Sequence, residues 1–245
     1  MDMLTFPQTG GFCPTPSSAP PAAPRGYYGN AKYFVTYEVD EKYSVWAATA
    51  PDQENREGWQ QVGDLDVAKS KLLSEFADWP EGVRELIAGT ENITKYGIYD
   101  RPELPPQHWF HGRCVLAGDA AHPTRFVQTA FAWFRDIMLM LIVWYSPHLG
   151  QGANQGLEDC WHLSQMLPDA EEELGIEQLR ETFQRYAEKR QPRTAALVKG
   201  ARAQGEVRVT VGEEECKQRN EKVKMYWANT AAIVARLHNL YCEPF

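Results

Sequence analysis

The sequence predicts a mixed α/β chain of the α+β kind. Three patterns carry that expectation. Apolar and polar residues alternate over residues 33–48, apolar residues recur at helical spacing over residues 64–79 and again late in the chain, and a short apolar run at residues 114–117 stops at a Gly-Asp pair.

Taken in order, residues 7–26 hold Pro7, Pro14, Pro16, Pro20, Pro21 and Pro24 among Ser, Thr, Ala and Gly. Such a stretch buries too little apolar surface to offset the entropy of ordering its backbone, so residues 1–26 read as a disordered lead-in. Tyr33, Val35, Tyr37 and Val39 then point one way and Phe34, Thr36 and Glu38 the other. Residues 43–48 repeat the pattern after Asp40-Glu41, which predicts a hairpin. Leu65, Ala68, Leu72, Leu73 and Phe76 share a helical face closed by Pro80, Val83, Leu86 and Ile87 mark a short helix over residues 81–89, and residues 93–99 read as a strand. A helix starting near Gly152 presents Ala153, Leu157, Cys160, Trp161 and Leu167 as its apolar face. Another runs from about Ile176 to Arg190 and stops at Pro192. A last one covers roughly residues 215–240, with Glu213, Glu214 and Glu215 as solvated acids at its start, where the helix dipole favours them. No internal repeat is present.

The 245 residues are 43% hydrophobic and 24% charged, an ordinary balance for a chain that buries a core. A net charge of −8 with no basic stripe argues against a nucleic-acid partner, because that binding rests on clustered Lys and Arg. Cys13, Cys114, Cys160, Cys216 and Cys242 contain no CxxC pair, which fits neither a disulfide framework nor a zinc site, and no bound metal is expected. Residues 1–12 have neither a cationic n-region nor an apolar h-region, so no secretory signal is expected and the setting is read as reducing, intracellular and cytoplasmic.

Chemistry concentrates in two segments: Gly118-Asp119-Ala120-Ala121-His122-Pro123, and Pro147-His148-Leu149-Gly150-Gln151-Gly152-Ala153-Asn154-Gln155-Gly156-Leu157-Glu158-Asp159. Gly118 permits a sharp turn at the strand end, where Asp119 can accept hydrogen bonds from hydroxyls. Gly150, Gln151 and Gly152 lead into a helix whose first N–H groups are unpaired and whose dipole favours negative charge. His122 and His148 lack a carboxylate or cysteine at metal-ligand spacing, and Trp46, Trp59, Trp79 and Trp109 read as core or substrate-domain packing.

Together these segments resemble the second flavin-binding signature of the FAD-dependent aromatic-ring monooxygenases, the salicylate hydroxylase and p-hydroxybenzoate hydroxylase type. Tyr99-Asp100-Arg101-Pro102, Trp109 and Gly112-Arg113 resemble the family's stretch before that signature, and residues 186–193 (YAEKRQPR) resemble its helix end after it, so the likeness covers about residues 30–245. The resemblance implies a partial flavin monooxygenase fold holding FAD through Gly118, Asp119, Pro147, Gly150, Gln151, Gly152, Ala153 and Asn154. Asp119 would meet the ribityl hydroxyls, and Gly152, Ala153 and Asn154 would lie beside the flavin ring. It also implies NAD(P)H as co-substrate and hydroxylation of an aromatic or similar small organic molecule; no catalytic base is identified. The family's opening Rossmann unit, with its G-x-G-x-x-G, and its mid-chain Asp-Gly motif have no counterpart in this sequence.

In the family the two halves of the signature are nearly contiguous, whereas here residues 125–145 intervene, almost without polarity from Ile137 to Trp144. A membrane segment is the weakest reading, since Arg135 and Asp136 near its middle would cost on the order of several kcal/mol in hydrocarbon. A lid over the active site would expose a large apolar patch. The preferred reading is an unspliced short intron: Arg125-Phe126-Val127 can be encoded with AG|GTTTGT and Tyr145-Ser146 with TACAG|C. Excision then joins Thr124 to Pro147 through one serine and restores the family pattern. The alternative to a working enzyme is accordingly a catalytically inactive piece or a mis-assembled gene product. The expected organisation is a lead-in at 1–26, a substrate-domain sheet with helices at 27–110, the C-terminal part of an FAD-binding domain at 111–124 and 146–168, the apolar insertion at 125–145, and a helical region at 169–245.

Overall fold

A computed structural model of the protein describes residues 7–16, 24–51, 60–61, 64–96, 103–122, 152–168 and 174–241. Residues 125–145, Pro147, His148, Gly150, Gln151 and Trp59 lie outside the described residues. Six strands form one antiparallel sheet in the order β2-β3-β4-β1-β6-β5. They are β1 (Gln8–Pro14), β2 (Arg25–Tyr28), β3 (Tyr33–Glu38), β4 (Tyr43–Thr49), β5 (Gln60–Gln61) and β6 (Asn92–Tyr96). The expected hairpin is β3–β4, and its turn is set by Asp40, whose carboxylate accepts from the N–H groups of Lys42 and Tyr43.

Strand β1 corrects the expectation of a disordered lead-in over residues 7–16. It pairs on both edges, Phe12 opposite Val45 of β4 and Gly10 opposite Thr94 of β6. The prolines that suggested disorder bracket the strand, Pro7 just before it and Pro14 as its last residue, so the interior of the strand keeps every N–H for the ladders. A tally of prolines does not see which backbone donors they remove.

Helices α1 (Leu65–Glu75) and α2 (Glu81–Ala88) cover one face of the sheet. Asp64 caps α1 by accepting from the N–H groups of Asp66 and Val67, and the helix ends at Phe76, ahead of Pro80. Their Leu72, Phe76, Val83, Leu86 and Ile87 pack with Cys13, Phe34, Trp46, Ala48 and Ile93 of the sheet into the main core. Phe34 stacks on Trp46, whose ring N–H donates to Thr90 Oγ1 at 2.7 Å. Gly11 lies against this pair so closely that a Cβ would fall 2.6 Å from Thr90 Cγ2 and 2.7 Å from the Trp46 ring.

A second cluster joins the two-stranded hairpin β7 (Phe110–His111) and β8 (Cys114–Val115) to α3 (Gly152–Met166) and α4 (Ile176–Arg208). Trp109, Ala121, Tyr186 and Ala187 are its buried members. The expected stop at Pro192 does not occur: α4 runs 33 residues with Pro192 inside it. A proline within a helix costs about 3 kcal/mol. The packing of Thr194, Ala195, Leu197, Val198 and Ala201 beyond it, all buried, offsets that cost. The last expected helix is two, α5 (Glu213–Ala228) and α6 (Thr230–Tyr241), divided at Asn229, whose side chain accepts from the Ala232 N–H and caps α6.

The corner between α4 and α5 docks on the β2–β3 turn. The Ala31 N–H donates to Thr210 O at 2.8 Å, the Gly212 N–H to Asn30 Oδ1 at 2.9 Å, and Arg219 to Gly29 O at 3.0 Å, while the Arg208 guanidinium lies over the Tyr33 ring. That contact ties the sheet to the helices that carry the site.

Candidate flavin-facing site

The site begins where β8 runs out. Ala117 is extended, and Gly118 then takes φ +58°, a left-handed turn that suits glycine, before a single 3₁₀ turn spans Gly118–Ala120. Gly118 O accepts from the N–H groups of both Ala121 and His122 at 3.0 Å. Asp119 sits on the exposed side of this turn. Desolvation by its surroundings raises its carboxyl above the ordinary carboxylate range, opposed by the His122 imidazole.

Helix α3 packs against that turn, and the contact is made by the end of the second segment. Asp159 Oδ2 accepts from the Gly118 N–H at 2.8 Å and meets His122 Nε2 at 2.6 Å. Its other oxygen, Oδ1, accepts from Arg190 Nε at 2.7 Å. Arg190 also donates from Nη1 to Glu158 Oε2 at 2.6 Å and from Nη2 to Gln155 Oε1 at 2.7 Å, and Arg193 makes a two-pronged pair with Glu158 at 2.7 and 2.8 Å. Asp159 is 0% exposed and Arg190 1%, so the network is inside the protein. Burial pushes Asp159 and Glu158 up. Hydrogen bonds from His122 and Arg190 to Asp159, and from Arg193 and Arg190 to Glu158, outweigh that push and hold both below the usual carboxylate range. Behind it, Trp109 lies 5.6 Å from the His122 ring and 5.9 Å from Tyr186.

The helix therefore buries the opposite face from the one its apolar residues suggested. Ala153 and Cys160 are exposed, as are Leu157 at 65%, Trp161 at 38% and Leu167; Gln155 and Asp159 are buried, with Leu163 and Met166 half-buried beside them. An internal Arg190 supplies the reason, since a buried guanidinium must be matched by acceptors, and the polar face of α3 carries them. The signal that sequence reading missed was the complementarity of Glu158-Asp159 with the arginines of YAEKRQPR.

Of the anticipated flavin contacts, Gly118, Asp119, Gly152, Ala153 and Asn154 are described, on one turn and one helix start held together through Asp159. These residues fit the needs of a flavin in two respects: an exposed carboxylate on a turn whose own N–H is satisfied from behind, and a helix N-terminus that begins at Gly152. Trp46 and Trp109 are core residues. Burial pushes the Cys13 thiol up to about 11, with Glu91 adding to the shift, so it is no ready nucleophile. Among the described residues no group of His, Cys, Asp and Glu could hold a metal ion, and no helix is long and apolar enough to cross a membrane.

Known proteins resemble this chain in sequence and in fold. The chain is 30% identical over 178 residues to salicylate hydroxylase of Pseudomonas putida, a match covering 73% of this chain and 32% of that protein. It is 34% identical over 153 residues to 3-amino-4-hydroxybenzoate 2-monooxygenase of Streptomyces cremeus, covering 62% and 32%. Among solved structures, a variant of HpxO of Klebsiella pneumoniae complexed with FAD superposes with a TM-score of 0.69 at 18% identity, over 98% of this chain and 55% of that one. A salicylate hydroxylase substrate complex gives 0.61 at 21% identity, over 97% and 58%. No protein-family model matches. The chain spans about a third of the length of the curated relatives it matches and a little over half of these solved structures.

Proposed function

Because the chain belongs to the FAD-dependent aromatic-ring monooxygenases, we propose that it contributes the ribityl and ring side of an FAD site, in an NAD(P)H-dependent hydroxylation of an aromatic or similar small organic substrate. The observation that carries this reading is the hydrogen bond from Gly118 N–H to Asp159, which makes one unit of the two separated halves of the signature. Asp119 would accept from the ribityl hydroxyls. Pro147, Gly150 and Gln151 would add contacts to the flavin, and the N–H groups at Gly152, Ala153 and Asn154 would stabilise negative charge at its ring. The bound flavin supplies the oxygen-activating redox chemistry; the protein binds it, orients it and keeps water away.

On this reading the sheet with α1 and α2 is the substrate-side wall, extended by β1 beyond residues 27–110. Residues 111–124 and 146–168 form the flavin side, and the helices after residue 169 brace it. The test is titration of FAD against the full chain and against Asp119→Ala, followed by flavin fluorescence. A hydrogen-bonded carboxylate contributes about 1.5–3 kcal/mol, so the variant should bind about tenfold more weakly or worse. Equal affinities would remove Asp119 from the site, and a chain that takes up no FAD at all would favour the inactive-piece reading.

A further inference from the structure

The flavin reading uses Asp159 only as the link to Gly118, yet its buried carboxylate also engages His122 and Arg190. We propose that Asp159 is the positioning residue of the Asp119 turn, and that Arg190 keeps it in the orientation that does so. This rests on the flavin reading above for its functional meaning, but its geometry stands apart from any ligand.

One oxygen of Asp159 spans the turn. Oδ2 takes the Gly118 N–H at 2.8 Å on one side of Asp119 and faces His122 Nε2 at 2.6 Å on the other. The second oxygen is held by Arg190 Nε at 2.7 Å. Arg190 is fixed in turn by Glu158 Oε2, Gln155 Oε1 and, at 3.3 Å, Gln155 O. Rotation of the carboxylate would break contacts to the turn and to α4 together. Asp159 lies seven residues into α3 from Gly152, about 10 Å along the axis at 1.5 Å per residue. The exposed carboxylate and the helix start are thereby set in one frame, which is what two contacts on a single rigid cofactor require.

The amide exchange of Gly118, followed by NMR in the full chain without flavin, reads the geometry. In Asp159→Asn it should accelerate on the order of tenfold or more, because a half-buried N–H loses its charged acceptor. Amides of Phe34, Trp46 and Ala48 in the distant sheet should keep their rates. Equal acceleration in the sheet would mean general destabilisation and would overturn the proposal. Should Asp159→Asn fail to fold, His122→Ala keeps the Arg190 pair and releases one side of the turn, and an unchanged rate around residues 118–122 there would equally overturn it.

The functional arm is a double-mutant cycle on FAD affinity. Asp159→Asn should weaken binding several-fold when Asp119 is present and leave it unchanged in an Asp119→Ala background, since it acts through that residue. Additive losses would sink the positioning role. Wild-type chain that binds no FAD would sink the flavin reading instead, and the exchange measurement would still decide whether Asp159 holds the turn.

Discussion

Arg190 and Asp159 meet across the α3–α4 contact with Nε 2.7 Å from Oδ1, and solvent reaches neither in any significant degree. A buried pair of this kind is weak as a source of net stability and severe when halved. Arg190→Ala leaves the buried Asp159 without its guanidinium and removes one of the two arginines on Glu158, and should cost about 3–5 kcal/mol, read as a drop in the urea midpoint. Replacing both partners, as Arg190→Met with Asp159→Leu, should recover much of that loss while releasing the Gly118 N–H.

Acid should dissolve the same network. Glu158 and Asp159 are both held below the ordinary carboxylate range. A group whose folded pKa is depressed stabilises the fold above its unfolded value, about pH 4, and the contribution disappears as pH falls through the folded pKa. The urea midpoint should therefore decline on acidification below about pH 4. Asp119, whose carboxyl is raised, works in the opposite sense and in the adjoining window: it adds stability as pH falls toward about 4, so Asp119→Asn should remove that gain and leave the decline below it unchanged. A midpoint that holds constant from neutral to strongly acid pH would contradict this.

Gly118→Ala tests the turn by itself. A Cβ at this position would meet nothing within 4 Å, so space is no obstacle. The backbone is, because φ +58° costs an L-residue about 1–2 kcal/mol. The expected result is a loss of that size in stability, with the turn, rather than the core, reporting it by amide exchange.

Gly11→Ala probes the opposite condition. Here φ is unremarkable and space is absent, with the Trp46 ring and the Thr90 methyl inside contact distance of the added carbon. Overpacking of this kind costs about 1–3 kcal/mol. The variant should lower the thermal midpoint and change Trp46 fluorescence, since the ring and its hydrogen bond to Thr90 must move together.

Sequence periodicity anticipated the helices of Leu65–Glu75 and Glu81–Ala88, because each turns one apolar face to one core. It also anticipated the hairpin of Tyr33–Glu38 and Tyr43–Thr49, although Tyr33, Phe34, Val35 and Thr36 are all buried and it is Phe34, not the Tyr33–Val35 face, that joins the main core. It failed where burial was not apolar. On α3 the visible stripe of Leu157 and Trp161 is exposed while Gln155 and Asp159 are buried, an inversion set by Arg190 on another helix. Hydrophobic patterning carries no information on such pairing. It failed again at Gln8–Cys13, where prolines outweighed a strand whose partners lie far along the chain. The flavin-facing turn was legible as Gly118-Asp119, while the residue that holds it in place was not.

The position of β1 also bears on how the chain assembles. As the polypeptide emerges during synthesis, Gln8–Pro14 can find β4 soon after Tyr43–Thr49 appears, but its other edge stays open until Asn92–Tyr96 follows. At roughly 5–20 residues per second that is a wait of seconds. Through that interval the growing sheet presents a bare ladder of N–H and C=O groups, a template for any other extended chain. Nascent copies crowded on one message are thus most prone to pair wrongly before β6 is made, and factors that shield an open strand edge would act in that window.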